Sequence, residues 1–586
     1  MLKHDEQIKL GNLELNVTIK PSSHPPIRKL SAEQAQKNRK DKEKTLLKQS
    51  VVLPVLIVLG FFIFSFVRGS VPEESHNDAN DGLMEMTSGD NAPGMSSPTA
   101  LKDHCIYTAG FGDFAALTKK SNNPTAESLP EITSQVQAHT KPTFHCMSIY
   151  WSPEEKGKDQ KVEVKYRQAG QDQWREGMPL CYHPVNSPEC KADYRGSLVN
   201  LQPGTEYEIV LSLEDSDLTT VVRDKTWDEN FPVESVVTVD DMDKGLEINS
   251  SGTPEGYILY DGTNCVIDTK NSSDHGITVR GNYVILRGFT IKNVKKHGIR
   301  IMDQHHIVIE ECDISKWGTP DESGFGMSPQ AGIFSNYSGL EGIVVQRCRI
   351  HNPSTDSNSW AEWHNGTYHP QGPQTIIFWE SEGNHVIRYN EFYSDKDHYF
   401  NDVLGAGKNQ SYRGFPGADS DIYCNYVANC WDDGIEVEGG DQNVRVWNNF
   451  IEHIYLPIGN AAASIGPLYI WQNISGRCSS MEGSLWGDHN GFLKMGYAGS
   501  EDWMTGSQYI FNNTIFQPND DGAAGLGGSG KPIKHCVTRN NILHVRPGDS
   551  RSIAKDPHHT DNDFDYDLLS ADYPGSHEQN GIEGEP

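Results

Sequence analysis

One short phrase recurs along residues 276–449, and it restricts what the chain can fold into more than any other feature. The clearest copies are GITVRGNYVILRGFTIKNV from Gly276, GIRIMDQHHIVIEECDISKW from Gly298, GIFSNYSGLEGIVVQRCRIHN from Gly332 and GIEVEGGDQNVRVWNNFIEHI from Gly434. Each runs Gly, an alternating apolar strand, a polar turn, a second apolar strand and a short third strand. The first two copies start 22 residues apart. A period in the twenties is that of a solenoid, because one rung is too small to bury its own apolar face and needs a neighbour on each side. The pattern predicts stacked β-coils.

Composition agrees and narrows the partners. With 55 Gly and 31 Pro against 36% apolar residues, turn-rich β structure is favoured over helical bundles. A net charge of −30 is the wrong sign for gripping nucleic acid. The same charge opposes bulk capture of any polyanion, which would need a local basic site or a bridging cation. Eleven Cys in so long a chain do not make a small disulfide scaffold. Cys181 and Cys190 flank a short loop and are placed to close a bridge, while Cys265, Cys312, Cys348 and Cys424 lie in or beside repeat strands, where a thiol packs as a small apolar group.

Residues 1–49 carry 11 Lys and Arg against 6 Asp and Glu and have no apolar period, as expected of a cytoplasmic disordered tail. Residues 50–67, SVVLPVLIVLGFFIFSFV, form an uncharged apolar run at the short end of what spans a bilayer. No small-residue cleavage site follows, and basic residues precede the run while an acidic stretch follows it. That asymmetry predicts one retained signal-anchor, with the N-terminus inside and everything after it in the periplasm or at the cell surface. Residues 68–127 read as a stalk, with no assignment for 101–127.

Between 128 and 230, SIYWSP, KVEVKYRQAGQDQW, DYRGSLVNL, TEYEIVLSL and TTVVRDKTW alternate apolar and polar residues between turn signals. The segment LQPGTEY, with Leu201, Pro203, Gly204 and Tyr207, resembles the tyrosine-corner of fibronectin type III domains, and Trp151 and Tyr166 fit it. That resemblance implies a β-sandwich and says nothing of function.

Residues 237–586 carry the repeats, which resemble the right-handed parallel β-helix proteins of the pectate-lyase-like group. The resemblance implies three parallel sheets and polysaccharide-active or polysaccharide-binding function. Asn recurs near the turn in HVIRYNEFYSD, DIYCNYVANCW, QYIFNNTIFQP and HCVTRNNILHV, where stacked amides can bond one another. Excursions at Ser354–Thr375, Asp395–Asp419 and Gly459–Gly491 break the regular coils and are rich in His, Trp and Tyr, as a groove would need. The sequence ends in a polar run without another apolar strand, as expected of a solenoid that continues or of a disordered acidic end.

Chemistry concentrates in WDDGIEVEGG. Ile435 and Val437 point inward in a coil strand, which leaves Glu436 and Glu438 outward with Asp432 and Asp433 at the entering corner. Four carboxylates within seven residues raise one another's pKa, as an acid and base pair requires. The alternatives are a hard cation such as Ca²⁺, or a solvated acidic turn. One coil earlier the chain supplies Asp395, Asp397, His398, Asn401 and Asp402, with Asp395 and Asp397 as further metal ligands. Later coils supply His453 and Lys494. Asp402, Asp432–Asp433 and His453 resemble the order of acids and His in polygalacturonase-type glycosidases, although the Gly-His-Gly and Arg-x-Lys of that type are absent. Trp379, Tyr399, Trp431 and Trp471 offer flat faces to sugar rings, and Arg445 a positive charge.

The expected protein is all-β: a membrane-anchored fibronectin type III sandwich and a right-handed parallel β-helix acting on a polysaccharide. It cleaves either by hydrolysis, with Asp402, Asp432 or Asp433 as acid and base, or by Ca²⁺-assisted β-elimination with Arg445, Lys494 or His398 taking the proton. The rival is a non-catalytic glycan-binding surface protein.

Overall fold

The computed structural model describes residues 129–157, 159–405, 407–409, 411–460, 465–477, 491–495, 506–517, 524–527, 534–545, 551–553, 561–570 and 580–583, with two antiparallel strands at Gln7–Leu10 and Leu13–Asn16. The expected span at 50–67 and stalk at 68–127 lie outside the described residues. Among the described residues no helix is long and apolar enough to cross a membrane.

Two β architectures share the unit Pro93–Pro586. The first is antiparallel, with neighbouring strands in the order Thr219–Lys225, Glu206–Leu213, Lys161–Gln168, Leu180–His183, Asp193–Leu198, Met147–Trp151 and His139–Pro142. Its alternation is as written in the sequence: Val162 and Val164 are buried between exposed Lys161, Glu163 and Lys165. Trp151, Tyr194, Ile209 and Leu211 fill the core with them. Tyr207 Oη accepts the Gln202 backbone N–H at 2.8 Å over buried Leu201.

From Val233 the named strands among the described residues pair in parallel, and the coils contribute strands to three faces. In the coil of the second copy, His297–Ile301 lies on the first face, Ile307–Glu310 on the second and Asp313–Ser315 on the third. The second face is a continuous sheet of 12 strands among the described residues. The first and third join into one ladder because two 11-residue strands, Tyr426–Glu436 and Phe450–Asn460, bend round the corner between them. Register along the first face aligns Ile277, Ile299, Ile333, Ile376, Leu404, Ile435, Ile458 and Leu493 as one fully buried column. Each rung thus covers the apolar row of the last, which is why no coil needs a core of its own.

The corner between second and third faces is closed by amides. Asn390, Asn425, Asn449, Asn473 and Asn513 each donate Nδ2 to the Oδ1 of the equivalent Asn one coil on, at 2.9–3.0 Å. Asn541 ends the ladder on Asp567. The residue before the amide takes positive φ at each turn, as Cys424, Asn448 and Gln472 do, a conformation Asn tolerates better than most residues.

The antiparallel domain packs on the second face. Phe144 belongs to the same buried cluster as Tyr257, Ile285, Val308, Tyr423, Trp447 and Trp471. Two fully buried arginines cross the contact. Arg388 binds Glu229 at 2.7 Å, and Arg445 binds Asp421, Ser148 Oγ at 2.6 Å and the Asp419 carbonyl at 2.8 Å. Three expectations are corrected here. Arg445 is not beside the carboxylates of WDDGIEVEGG, because its strand faces the sandwich. Trp471 stacks on Trp447, with ring centroids 5.3 Å apart, under the same cover. Cys181 and Cys190 are free thiols rather than a bridge, and Cys424 is disulfide-bonded.

Candidate active site

The first face is left bare by the sandwich, and corner loops rise round it. A cleft of about 580 Å³ lies there, lined from the turn at Met327–Ser328, from the 354–375 loop, from first-face strands and from the loop after Gly405.

The cleft floor is built by register. Gln374, Asp402 and Asp433 stand on successive coils, as do Gly405, Glu436, Gly459 and Lys494. Ile435 and Val437 enter the core and turn Glu436 and Glu438 outward. Asp432 and Asp433 sit where the strand irregularity between Cys430 and Asp433 carries the chain round the corner. Two glycines make room for the carboxylates: a Cβ on Gly405 would fall 2.3 Å from Glu436 Oε2, and one on Gly459 would fall 2.6 Å from Asp433 Oδ2.

One carboxylate oxygen from each of Asp402, Asp432 and Asp433 lies within 4.8 Å of the other two, and the same holds for Asp433, Glu436 and Glu438. All five residues are buried. Asp402 accepts three N–H groups, from Asn401 Nδ2 at 2.6 Å, Gln374 Nε2 at 2.9 Å and the Asp433 backbone at 3.1 Å. Lys494 Nζ bonds Asp433 and lies 3.0 Å from Glu438 Oε1. Asn409 Nδ2 bridges Glu436 and Glu438 at 2.9 and 2.7 Å. His369 Nε2 stands 3.3 Å from Asp432 Oδ2, its side chain half in solvent.

Burial raises Asp402 well above the ordinary carboxyl range, and Glu436, Asp432 and Asp433 push the same way. Burial also raises Asp433 well above that range, against the pull of Lys494. Asp432 is raised by burial, against His369 and Lys494. For Lys494, burial works downward, but Asp433, Glu438, Asp432 and Glu436 together outweigh it and keep the ammonium charged. Groups this close titrate as a set, so the three aspartates together hold protons to higher pH than isolated carboxyls would.

A Ca²⁺ here would have to compete with the Lys494 ammonium, which already supplies counter-charge to Asp433 and Glu438.

The structure therefore brings together Asp402, Asp432, Asp433, Glu436, Glu438, Lys494 and, on the cleft wall, Trp379. The Gly407 backbone crosses the Trp379 ring, where any Cβ would collide with it. Other expected residues lie elsewhere. His398 is paired with Asp395 Oδ1 at 2.6 Å on an exposed corner, outside the cleft lining. Asp395 and Asp397 join neither convergent acidic group among the described residues. Tyr399 and Trp431 stack on each other at 4.4 Å rather than lining the cleft. His453 is exposed beside Glu452. The missed residues are His369, Gln374 and Asn409. His369 lay inside a loop marked for its His and Trp content, but nothing local distinguishes it from His364, which is tied to Asp321 instead.

Fold and cleft together define a parallel β-helix protein with an acidic site on one face of its coils. The helix is of the right-handed kind: the family model described as Right handed beta helix region matches residues 244–369 and 275–463. No curated protein matches the chain. Among solved structures it is similar to the Dettilon tailspike protein, at 15% identity and a TM-score of 0.36 over 56% of this chain and 63% of that one. It is also similar to the catalytic unit of a thermostable GH87 alpha-1,3-glucanase from Streptomyces thermodiastaticus, at 13% identity and a TM-score of 0.31 over 76% of this chain and 87% of that one. A third is pectate lyase PelI from Erwinia chrysanthemi in complex with tetragalacturonic acid, at 8% identity and a TM-score of 0.15 over 62% and 90%. The chain spans less than two thirds of the tailspike's length. Likeness this distant does not bear on the reaction.

Proposed function

We propose that the chain hydrolyses glycosidic bonds of a polysaccharide in this cleft. The observation that carries the reading is the convergence of Asp402, Asp432 and Asp433 within 4.8 Å, with Asp402 and Asp432 lining the cleft. Hydrolysis needs one protonated carboxyl and one ionised carboxylate beside the scissile bond. Burial raises Asp402 and Asp433 furthest, whereas His369 and Lys494 favour charge on Asp432. Asp402, which lines the cleft, is the acid. Its proton passes to the glycosidic oxygen as the anomeric C–O bond breaks. Water adds its oxygen to the anomeric carbon and gives its proton to Asp432, the carboxylate beside half-exposed His369.

The rest of the chain presents this cleft. The tyrosine-corner bond of Tyr207 supports a fibronectin type III module acting as a buttress, and the apolar run at 50–67 after a basic tail supports a membrane anchor that leaves the cleft outside the cytoplasm. The disulfide at Cys424 accords with an oxidising compartment. Protease accessibility of the β-helix on intact cells tests that placement.

Reducing-end release from a polysaccharide panel by wild type and Asp433→Asn tests the reaction. Loss of release in the variant is expected, and undiminished release would remove the cluster from the chemistry. Ultraviolet-absorbing unsaturated ends would replace hydrolysis by elimination. No cleavage of any polymer, with or without Ca²⁺, would leave a glycan-binding protein.

A further inference from the structure

We propose that the cleft takes a neutral, hydroxyl-rich polysaccharide and rejects uronate polymers. This rests on the reading of the cleft as a sugar-cleaving site and names its substrate class.

The charges come first. Asp402, Asp432 and Glu436 line the cleft, Asp433 and Glu438 belong to the same acidic cluster, and its basic groups among the described residues are Lys494 and His369. Both are engaged, Lys494 with Asp433 and Glu438 and His369 with Asp432. No arginine lines the cleft among the described residues. A uronate chain carries one carboxylate per sugar and would bring like charge onto a buried acidic floor with no bidentate partner to receive it. Arg445, which the sequence placed here, is spent on the sandwich contact.

The second observation concerns hydrogen-bond polarity. Gln374 and Asn401 line the cleft and are 4% and 5% exposed. Their amide nitrogens are used on Asp402, and Gln374 Oε1 and Asn401 Oδ1 have no donor among the described residues. A buried carbonyl oxygen needs an O–H or N–H to satisfy it. Sugar hydroxyls donate, whereas a carboxylate only accepts. Asn365, Gln371 and Asn409 extend the same amide lining. The site is therefore matched to a ligand that presents hydroxyls and carries no charge. Elimination next to a sugar carboxyl has no substrate under this assignment, so the chemistry is hydrolysis.

The test uses the full chain with two panels: neutral glucans, mannan and galactan, and the uronate polymers polygalacturonate and alginate. Reducing ends are expected from a neutral polymer, with uronates cut at least about a hundredfold more slowly, a ratio equivalent to two tenfold steps in free energy. Cleavage of a uronate polymer at a comparable or higher rate would overturn the substrate class and leave glycosidic cleavage standing. If nothing is cut, the same polymers cast into affinity gels decide. Retardation by neutral polymers alone supports the substrate class while the cleavage reading fails. Retardation by uronates, or by neither, overturns it.

Discussion

The backbone N–H of Asp433 donates to Asp402 Oδ1 at 3.1 Å, from one coil of the β-helix to the coil before it. The bond shows how a solenoid assembles a site. Residues 31 positions apart in sequence become neighbours because equivalent positions on stacked coils are separated by about 4.8 Å. One acidic residue per coil is enough to make a cluster, provided that neighbouring coils give up a side chain, as Gly405 and Gly459 do.

Lys494→Met should be costly in a pH-dependent way. The ammonium is the counter-charge for Asp433 and Glu438, and removing one partner of a buried pair typically costs about 3–5 kcal/mol. Urea denaturation should show the loss at pH 8 and a smaller one at pH 5, where protonation of the carboxyls relieves the repulsion. Equal losses at both would mean that Lys494 acts by packing alone.

The raised carboxyls also set the sign of the wild-type pH response. The folded-state pKa values of Asp402, Asp432 and Asp433 are raised by burial above the ordinary value of an aspartate. Above that value the folded chain binds more protons than the unfolded one, so the stabilisation is full below the unfolded pKa and is lost as pH rises through the folded values. Asp402→Asn removes one titrating member. Its thermal midpoint relative to wild type should therefore rise from pH 5 to pH 8, and a gap constant across that range would contradict the assignment.

Asn449→Ala interrupts the amide ladder at its middle. It removes the bonds to Asn473 and to the Ile422 carbonyl and strips the acceptor from Asn425. Each buried group left unpaired costs about 1–3 kcal/mol. A loss of several kcal/mol by denaturant titration is expected, and a loss below about 1 kcal/mol would show that the backbone ladders hold the corner unaided.

Arg445→Met separates scaffold from site. Arg445 joins the β-helix to the sandwich through Asp421, Ser148 and Ser197, so the thermal midpoint should fall while KM for a cleaved polysaccharide stays unchanged. A rise in KM without loss of stability would return Arg445 to the substrate.

The β-helix was legible because its signal is a period, and the acidic run because four carboxylates crowd into one strand and corner. Arg445 and Trp471 were misplaced for a physical reason. An outward residue on the second face has the same alternation as one on the first, and only the sandwich decides which face is covered. His398 drew attention through acidic neighbours, yet it spends them on a local pair with Asp395. His369, Gln374 and Asn409 reach the floor from loops and coils whose stacking no local pattern encodes.

The central claim is that Asp402 protonates the leaving oxygen while Asp432 takes the proton of the water. The most direct measurement compares Asp402→Asn with wild type on a cleaved polysaccharide and on a matching glycoside bearing a nitrophenyl leaving group, which departs without acid help. Cleavage of the polysaccharide should fall by about 10²–10⁴, while the nitrophenyl glycoside loses far less. Equal losses on both substrates, or no loss on either, would contradict the account.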